Sequence, residues 1–372
     1  MIFLVFLTGG IYILVIASFF YGWEKLRRFD IANETPPLFV SIIIPMRDEE
    51  ENIFNLLHDL NNQTFPAKDY EIILVNDHSV DHSYEIASGY SFDNLKIISL
   101  SDTVSGKKAA LAAGIQRSKG ELIITTDADC RLRSKWLISI ASYYIKAKPV
   151  MILCPVVPSY NLHSQSGKFL HEILSLEFYS LLGSTAGAAA IGRPVMCNGA
   201  NLAFPKNVYQ DIQQTLVNTK IASGDDIFGM LALKKKYPGR IHFLKLKDAA
   251  VYTTIAGNVK SFFKQRGRWA AKFRFYRDPE IIVTALTVFG INLMLLVTLV
   301  YSFLQHNYIS FFGLLIIKSL IDFPFLYRVT SFFGKKKLMR WFPVVQSFYF
   351  FYVCITVFFA MVIPNVWKGR KI

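Results

Sequence analysis

The chain has 372 residues, 52% of them hydrophobic and 18% charged, with a formal net charge of +14. It is too apolar for a disordered basic protein, and too poor in charge for an ordinary soluble domain, which averages about 25% charged residues. The length admits roughly two domains, and the positive balance calls for an anionic partner: nucleic acid, lipid or a phosphorylated substrate.

Residues 2–22 carry no charge and are long enough to span a bilayer, which needs about 20 residues. Lys25, Arg27 and Arg28 follow the segment instead of preceding it, unlike the basic start of a cleaved signal peptide. Residues 1–23 therefore read as an uncleaved anchor, with the N-terminus outside and the following chain in the cytoplasm.

Residues 30–257 have a different grain. Short β-branched runs recur at 40–45, 71–77, 95–100, 121–127 and 150–157. Segments with helical spacing lie between the first four; Ile53, Leu56, Leu57 and Leu60 follow the i, i+3, i+4, i+7 pattern. Alternating β and α elements with near-continuous apolar strands predict an α/β fold around a mostly parallel sheet. Ligands of such sheets bind beyond the carboxyl ends of the strands.

Those ends are acidic. The first run leads into Pro45, Met46, Arg47, Asp48, Glu49 and Glu50, the second into Asp77 and His78, and the fourth into Asp127 and Asp129. Any one of these could be an ordinary turn or cap residue. Three on one sheet edge would repel one another without a cation between them. Asp127 and Asp129 form a D-x-D pair suited to Mg²⁺ or a similar hard cation, which takes one or two carboxylates plus substrate phosphates. Lys107 follows Gly106 just before a predicted helix at 109–118, so a lysine and a helix N-terminus could both face a phosphate. Neither a Walker A pattern nor a G-x-G-x-x-G fingerprint is present. Further on, Asp225 and Asp226 are adjacent carboxylates, suited to general-base work or to capping a helix over 227–236.

The stretch 258–279 interleaves Lys260, Lys264, Arg266, Arg268, Lys272, Arg274 and Arg277 with Phe262, Phe263, Trp269, Phe273, Phe275 and Tyr276. In a soluble protein this would suggest RNA. Directly before a hydrophobic span it predicts an amphipathic helix in the membrane interface, part of it capping the active site. Residues 280–372 hold three more apolar stretches, 281–304, 308–327 and 342–363. Lys318 and Asp322 are spaced to pair on one helix face. Lys368, Arg370 and Lys371 would end outside if all three cross, against the positive-inside rule, so the side of the C-terminus stays open. The four cysteines are scattered and His78 and His82 share no helix face, which argues against zinc and against a disulfide framework.

The ordered set SIIIPMRDEEENI, VNDHSVD, GKKAAL, TTDAD, NGANLAF, GDD and QRGRW resembles a membrane-integrated family 2 glycosyltransferase. That group includes hyaluronan, poly-N-acetylglucosamine and cellulose synthases and the ceramide glucosyltransferases. The resemblance covers roughly 38–270 and implies a GT-A fold, a nucleotide-sugar donor and Mg²⁺ or Mn²⁺. It implies that Pro45, Arg47, Glu49 and Asp77 line the nucleotide pocket, with Asp77 on the base. Lys107 would lie near the diphosphate, Asp127 at the nucleotide-sugar and Asp129 at the metal. Asp226 would be the catalytic base with Asp225 beside it. Arg266 and Arg268 would sit over the diphosphate, and Trp269, Gly199 and Asn201 would meet the acceptor. Arg47 and Asp48 depart from the Asn that many members have before the Glu pair.

The expected activity is inverting transfer, from a nucleotide-sugar, a UDP-sugar first among them, to a lipid or membrane-held glycan at the cytoplasmic face. The alternative within the class is a processive polysaccharide synthase that also exports its polymer. A transporter with a nucleotide-sensing domain would show a repeat and broken helices, and neither is visible. Membrane lipids are expected partners, nucleic acid is not, and a monomer or an oligomer is left open.

Overall fold

Continuous runs of Val, Ile and Leu bury both faces of a strand; the first, second and fourth runs do so here, while the third, at the sheet edge, is half-exposed. The computed structural model describes residues 2–31, 36–90, 92–159, 167–217, 225–255, 258–362, 366–367 and 370–371. Its elements in chain order are α1 (Ile2–Lys25), β1 (Val40–Met46), α2 (Ile53–Asn61), β2 (Tyr70–Asn76), α3 (Ser83–Ser88), β3 (Leu95–Ser99), α4 (Lys107–Arg117), β4 (Leu122–Thr126), β5 (Arg131–Leu132), α5 (Trp136–Ala147), β6 (Met151–Leu153), β7 (Val156–Ser159), α6 (Lys168–Ala190), β8 (Asn201–Pro205), α7 (Tyr209–Val217), α8 (Asp225–Lys236), β9 (Ile241–Phe243), β10 (Val251–Thr254), α9 (Val259–Ala271), α10 (Pro279–Gln305), α11 (Ile309–Phe332) and α12 (Phe342–Val362).

The chain divides into two compact units. One comprises residues 26–159 and 196–254; the other comprises residues 1–25, 160–195 and 255–372. The helix α6 belongs to the second of these units.

In the α/β unit a seven-stranded sheet has the order β3-β2-β1-β4-β8-β6-β9. β1, β2, β3 and β4 run parallel, so their carboxyl ends share one edge. β8 runs antiparallel to β4, pairing Asn201 with Thr126, and its N-terminal approach therefore reaches the same edge. A second sheet has the order β5-β10-β7. The run at 150–157 is two strands, not one, because Pro155 has no N–H to continue a ladder; β6 joins the large sheet and β7 the small one. Pro45 is tolerated within β1 because it lies beyond the last partner that β1 has on β4.

The helical unit contains α1, α6 and α9 to α12. α1, α10, α11 and a segment that includes α12 are long and apolar enough to cross a membrane. α1 and α6 cross with backbones in direct contact: a Cβ on Gly22 would overlap the Gly187 carbonyl, and one on Gly187 would overlap that of Phe19. At Gly10, on the same α1, a Cβ would meet nothing within 4 Å. Gly22→Ala is therefore expected to destabilise by about 1–3 kcal/mol through overpacking, while Gly10→Ala leaves the unfolding midpoint in detergent unchanged or raised. Equal midpoints would refute the close crossing.

Candidate active site

The edge where β1, β2 and β4 end gathers the charged residues picked out by sequence. Just past β1 the chain turns through Asp48 in the left-handed region, at φ 51°. Asp48 Oδ1 accepts the Val80 N–H at 2.9 Å, and the Glu49 N–H donates to Ser83 Oγ at 2.6 Å. These bonds tie the loop after β1 to the loop after β2. Arg47 Nη1 stands 3.8 Å from Asp77 Oδ2. Asp77, 2% exposed, also accepts the Gly106 N–H at 2.9 Å and faces His78 Nδ1 at 3.1 Å. Gly106 sits at φ 104°, a conformation that favours glycine. It turns the chain so that α4 begins with Lys107, two residues earlier than the apolar spacing suggested.

Lys107 Nζ lies 2.5 Å from Asp127 Oδ1. Burial works against its charge, but Asp127, Asp226 and Asp129 outweigh burial and hold the ammonium above its ordinary range. Burial, with the neighbouring Asp127 and Glu49 carboxylates, pushes Asp129 up to about 6. Crowded carboxylates of this kind are what a divalent cation relieves. Two carboxylates leave room for substrate phosphate and water, as a hard cation requires. No cluster of three or more His, Cys, Asp or Glu able to hold a metal occurs among the described residues. Asp129 and Asp127 are the residues that would hold a cation shared with a ligand.

The raised Asp129 has a consequence for stability. The folded protein keeps a proton that the unfolded chain loses, so this group's contribution declines as pH rises from about 4 to about 6. In chelator at pH 7, Asp129→Asn is expected to stabilise by on the order of 1–2 kcal/mol. The advantage should vanish near pH 4, and added Mn²⁺ should stabilise only the wild type. A variant less stable at pH 7 in chelator would contradict the geometry.

Asp226 begins the body of α8 next to Asp225. Its Oδ2 accepts the Gly199 N–H at 3.0 Å and its Oδ1 the Ile227 N–H at 2.9 Å. Gly199 is held in turn by Thr125 on β4, whose Oγ1 donates to the Gly199 carbonyl at 3.1 Å. The antiparallel pairing of β4 and β8 thus fixes the carboxylate. The Asp225 side chain, together with Ser223 and Gly224, lies outside the described residues.

Two expected ligands have other employment. Asn201 is fully buried: it accepts from Trp136 Nε1 at 3.1 Å and donates to the carbonyls of Pro155 at 2.7 Å and Ala249 at 2.9 Å. With these bonds made, Asn201 ties the start of β8 to α5 and to the backbone at Pro155 and Ala249. In the helical unit, Arg266 is 4% exposed and bonded to Glu177 through Nε at 3.1 Å and Nη2 at 2.5 Å. Its charge is balanced within that unit by Glu177. Arg268 differs: its Nε is buried with no hydrogen-bond partner among the described residues, and burial lowers its proton affinity. Trp269 is 37% exposed.

Sequence reasoning missed Thr125, Ser83 and Glu177. The first two look like ordinary strand and helix-start residues. Glu177 could have been found, because a carboxylate in an apolar helix demands a cation.

Residues 41–204 match the family profile described as glycosyl transferase family 2. The chain is 40% identical over 101 residues to the glycosyltransferase AglE of Haloferax volcanii, a stretch covering 27% of this chain and 33% of that protein. It is 22% identical over 351 residues to the poly-beta-1,6-N-acetyl-D-glucosamine synthase of Staphylococcus epidermidis, covering 89% of this chain and 80% of that one. The chain thus spans about a third of the length of AglE but most of the second relative. Among solved structures, the mannosyltransferase PcManGT from Pyrobaculum calidifontis, in complex with GDP-Man and Mn²⁺, aligns with TM-score 0.54 at 15% identity, covering 94% of this chain and 99% of that one. At that identity the likeness concerns the fold. Over residues 41–204 this chain is similar to family 2 glycosyltransferases, and its α/β unit, with a mostly parallel sheet between helices, is GT-A-like in fold.

Proposed function

We propose that the chain is an inverting, metal-dependent glycosyltransferase that moves a sugar from a nucleotide-sugar, a UDP-sugar first among them, to a lipid or membrane-held glycan at the cytoplasmic face. The observation that carries this reading is the Asp226 carboxylate, held by the Gly199 N–H and close enough to Lys107 to strengthen its charge along with Asp127 and Asp129. A base and a phosphate-binding cation stand in one electrostatic cluster.

In the proposed reaction Asp226 takes the proton of the acceptor hydroxyl, whose oxygen bonds to the anomeric carbon. The bond from that carbon to the diphosphate breaks, and its electron pair leaves with the nucleoside diphosphate. The transition state is oxocarbenium-like, as in glycoside hydrolysis. Lys107 is suited to the departing charge, and Arg268 is assigned to it by the sequence resemblance alone. A divalent ion held by Asp129 and Asp127 would supply further neutralisation of the diphosphate. Arg47 and Asp77, with Pro45 and Glu49, are assigned to the nucleotide, and Gly199 and Trp269 to the acceptor side.

Membrane attachment is supported by the four long apolar helices. The Staphylococcus epidermidis relative, matched along most of the chain, favours a second reading, processive synthesis of a polymer. One experiment addresses both. Purified protein with Mn²⁺ is given a panel of UDP-, GDP- and other nucleotide-sugars; released diphosphate is measured, and the lipid extract is analysed by mass spectrometry. A single added sugar supports the first reading and a ladder the second. Silence across the whole panel would overturn both.

A further inference from the structure

The QRGRW segment puts two arginines two residues apart on α9, and the structure treats them oppositely. Arg266 is buried, and each of its three nitrogens has a partner. Nε and Nη2 donate to the two oxygens of Glu177 on α6, and Nη1 donates to Gln265 Oε1 at 3.1 Å. Glu177 is 6% exposed and accepts a third bond, from the Tyr352 hydroxyl of α12 at 3.2 Å. The flat face of the same guanidinium lies 4.1 Å from the centre of the Trp269 ring and 4.9 Å from that of Phe262. Arg268, by contrast, has a buried Nε with no partner among the described residues.

We infer that Arg266, clamped by Glu177, is a positioning residue: it fixes the Trp269 indole against its face and leaves anion binding to Arg268. The planar fork of arginine suits both tasks at once, a bidentate carboxylate in its plane and an aromatic ring on its face. Lysine can keep the charge but offers neither. The Glu177 carboxylate gives the guanidinium one orientation, because both of its oxygens and the Tyr352 hydroxyl are engaged. An aromatic ring packed on that cation gains rigidity and electrostatic attraction together. The inference takes Trp269 and Arg268 as acceptor and diphosphate residues from the proposed function. The Arg266 contacts themselves do not depend on it.

The test uses the full chain in detergent micelles, with acrylamide as the fluorescence probe and UDP and GDP, each with Mn²⁺, as the nucleotide probes. The Trp269 signal is obtained by subtracting the matching Trp269→Phe protein. Arg266→Lys is expected to raise acrylamide quenching of Trp269 about twofold as the stack is lost. It should leave affinity for the diphosphates within about twofold, whereas Arg268→Ala should weaken it about tenfold or more. The exchanged pair Glu177→Arg with Arg266→Glu separates positioning from plain support. If Arg266 positions Trp269, the exchange recovers the unfolding midpoint but not the protected indole; if the pair is only a structural tie, it recovers both, which overturns the inference. Unchanged quenching in Arg266→Lys overturns it as well, as does an equal loss of diphosphate affinity in the Arg266 and Arg268 variants. Should Arg266→Lys fail to fold, Glu177→Gln is read by the same criteria. A wild type that binds neither UDP nor GDP defeats the proposed function, while the Trp269 quenching still decides the positioning.

Discussion

Asp226→Asn is expected to lower glycosyl transfer by about 10²–10⁴-fold, the usual contribution of a placed general base, while affinity for the nucleotide-sugar is unchanged. On the barrier that loss is about 3–5 kcal/mol. The substitution is nearly isosteric, but it removes the charge that accepts the proton. It also disturbs the anchoring, because both Asp226 oxygens accept backbone N–H groups, from Gly199 and from Ile227. An amide can offer an oxygen to only one of them. Leaving the other unsatisfied costs about 1–3 kcal/mol when buried, a loss visible as a lower unfolding midpoint. Transfer and binding are therefore measured separately, by diphosphate release and by titration with the donor that the screen identifies. Wild-type turnover in the variant would remove Asp226 from the mechanism. Loss of binding and turnover together would move it from the acceptor to the donor.

The legible parts of the molecule are those where local pattern and long-range structure agree. β1, β2 and β4 were readable because strands buried on both faces need unbroken apolar runs, and such runs end at the charged edge by necessity. Lys318 and Asp322 were readable because four residues of helix bring them together whatever surrounds them. What the sequence left illegible is equally physical. The segment 160–195 sits between strands in sequence, and nothing local shows that α6 packs on α1 through Gly187. Asn201 lies in a motif, and a motif asparagine looks like a ligand until its three hydrogen bonds to Trp136, Pro155 and Ala249 are seen. Arg266 sits between motif residues and carries the same charge as Arg268. Only the position of Glu177, 89 residues away, distinguishes a cation that is spent from one that remains open.

Lys318→Met is expected to destabilise the helical unit by about 3–5 kcal/mol, the cost of stranding one member of a buried ion pair. Lys318 is 2% exposed and donates to Asp322 Oδ2 at 2.5 Å and to Gln346 Oε1 at 3.1 Å. It also lies 5.4 Å from the ring centre of Tyr12 and 5.0 Å from that of Tyr349. Asp322 accepts further bonds from the Tyr12 hydroxyl at 2.7 Å and from Gln346 Nε2 at 3.0 Å. Three helices, α1, α11 and α12, are thus joined at one charge-balanced cluster. Removing the ammonium leaves a carboxylate with neutral donors only, so the charge and not the bond count decides the loss. That argument fixes the sign of the coupling: Lys318→Met with Asp322→Leu removes both charges, and should be more stable than Lys318→Met alone, as apolar replacement of whole buried pairs often is. Thermal unfolding in detergent measures both variants. A double variant that loses the sum of the two single effects would mean the pair stabilises through something other than mutual neutralisation.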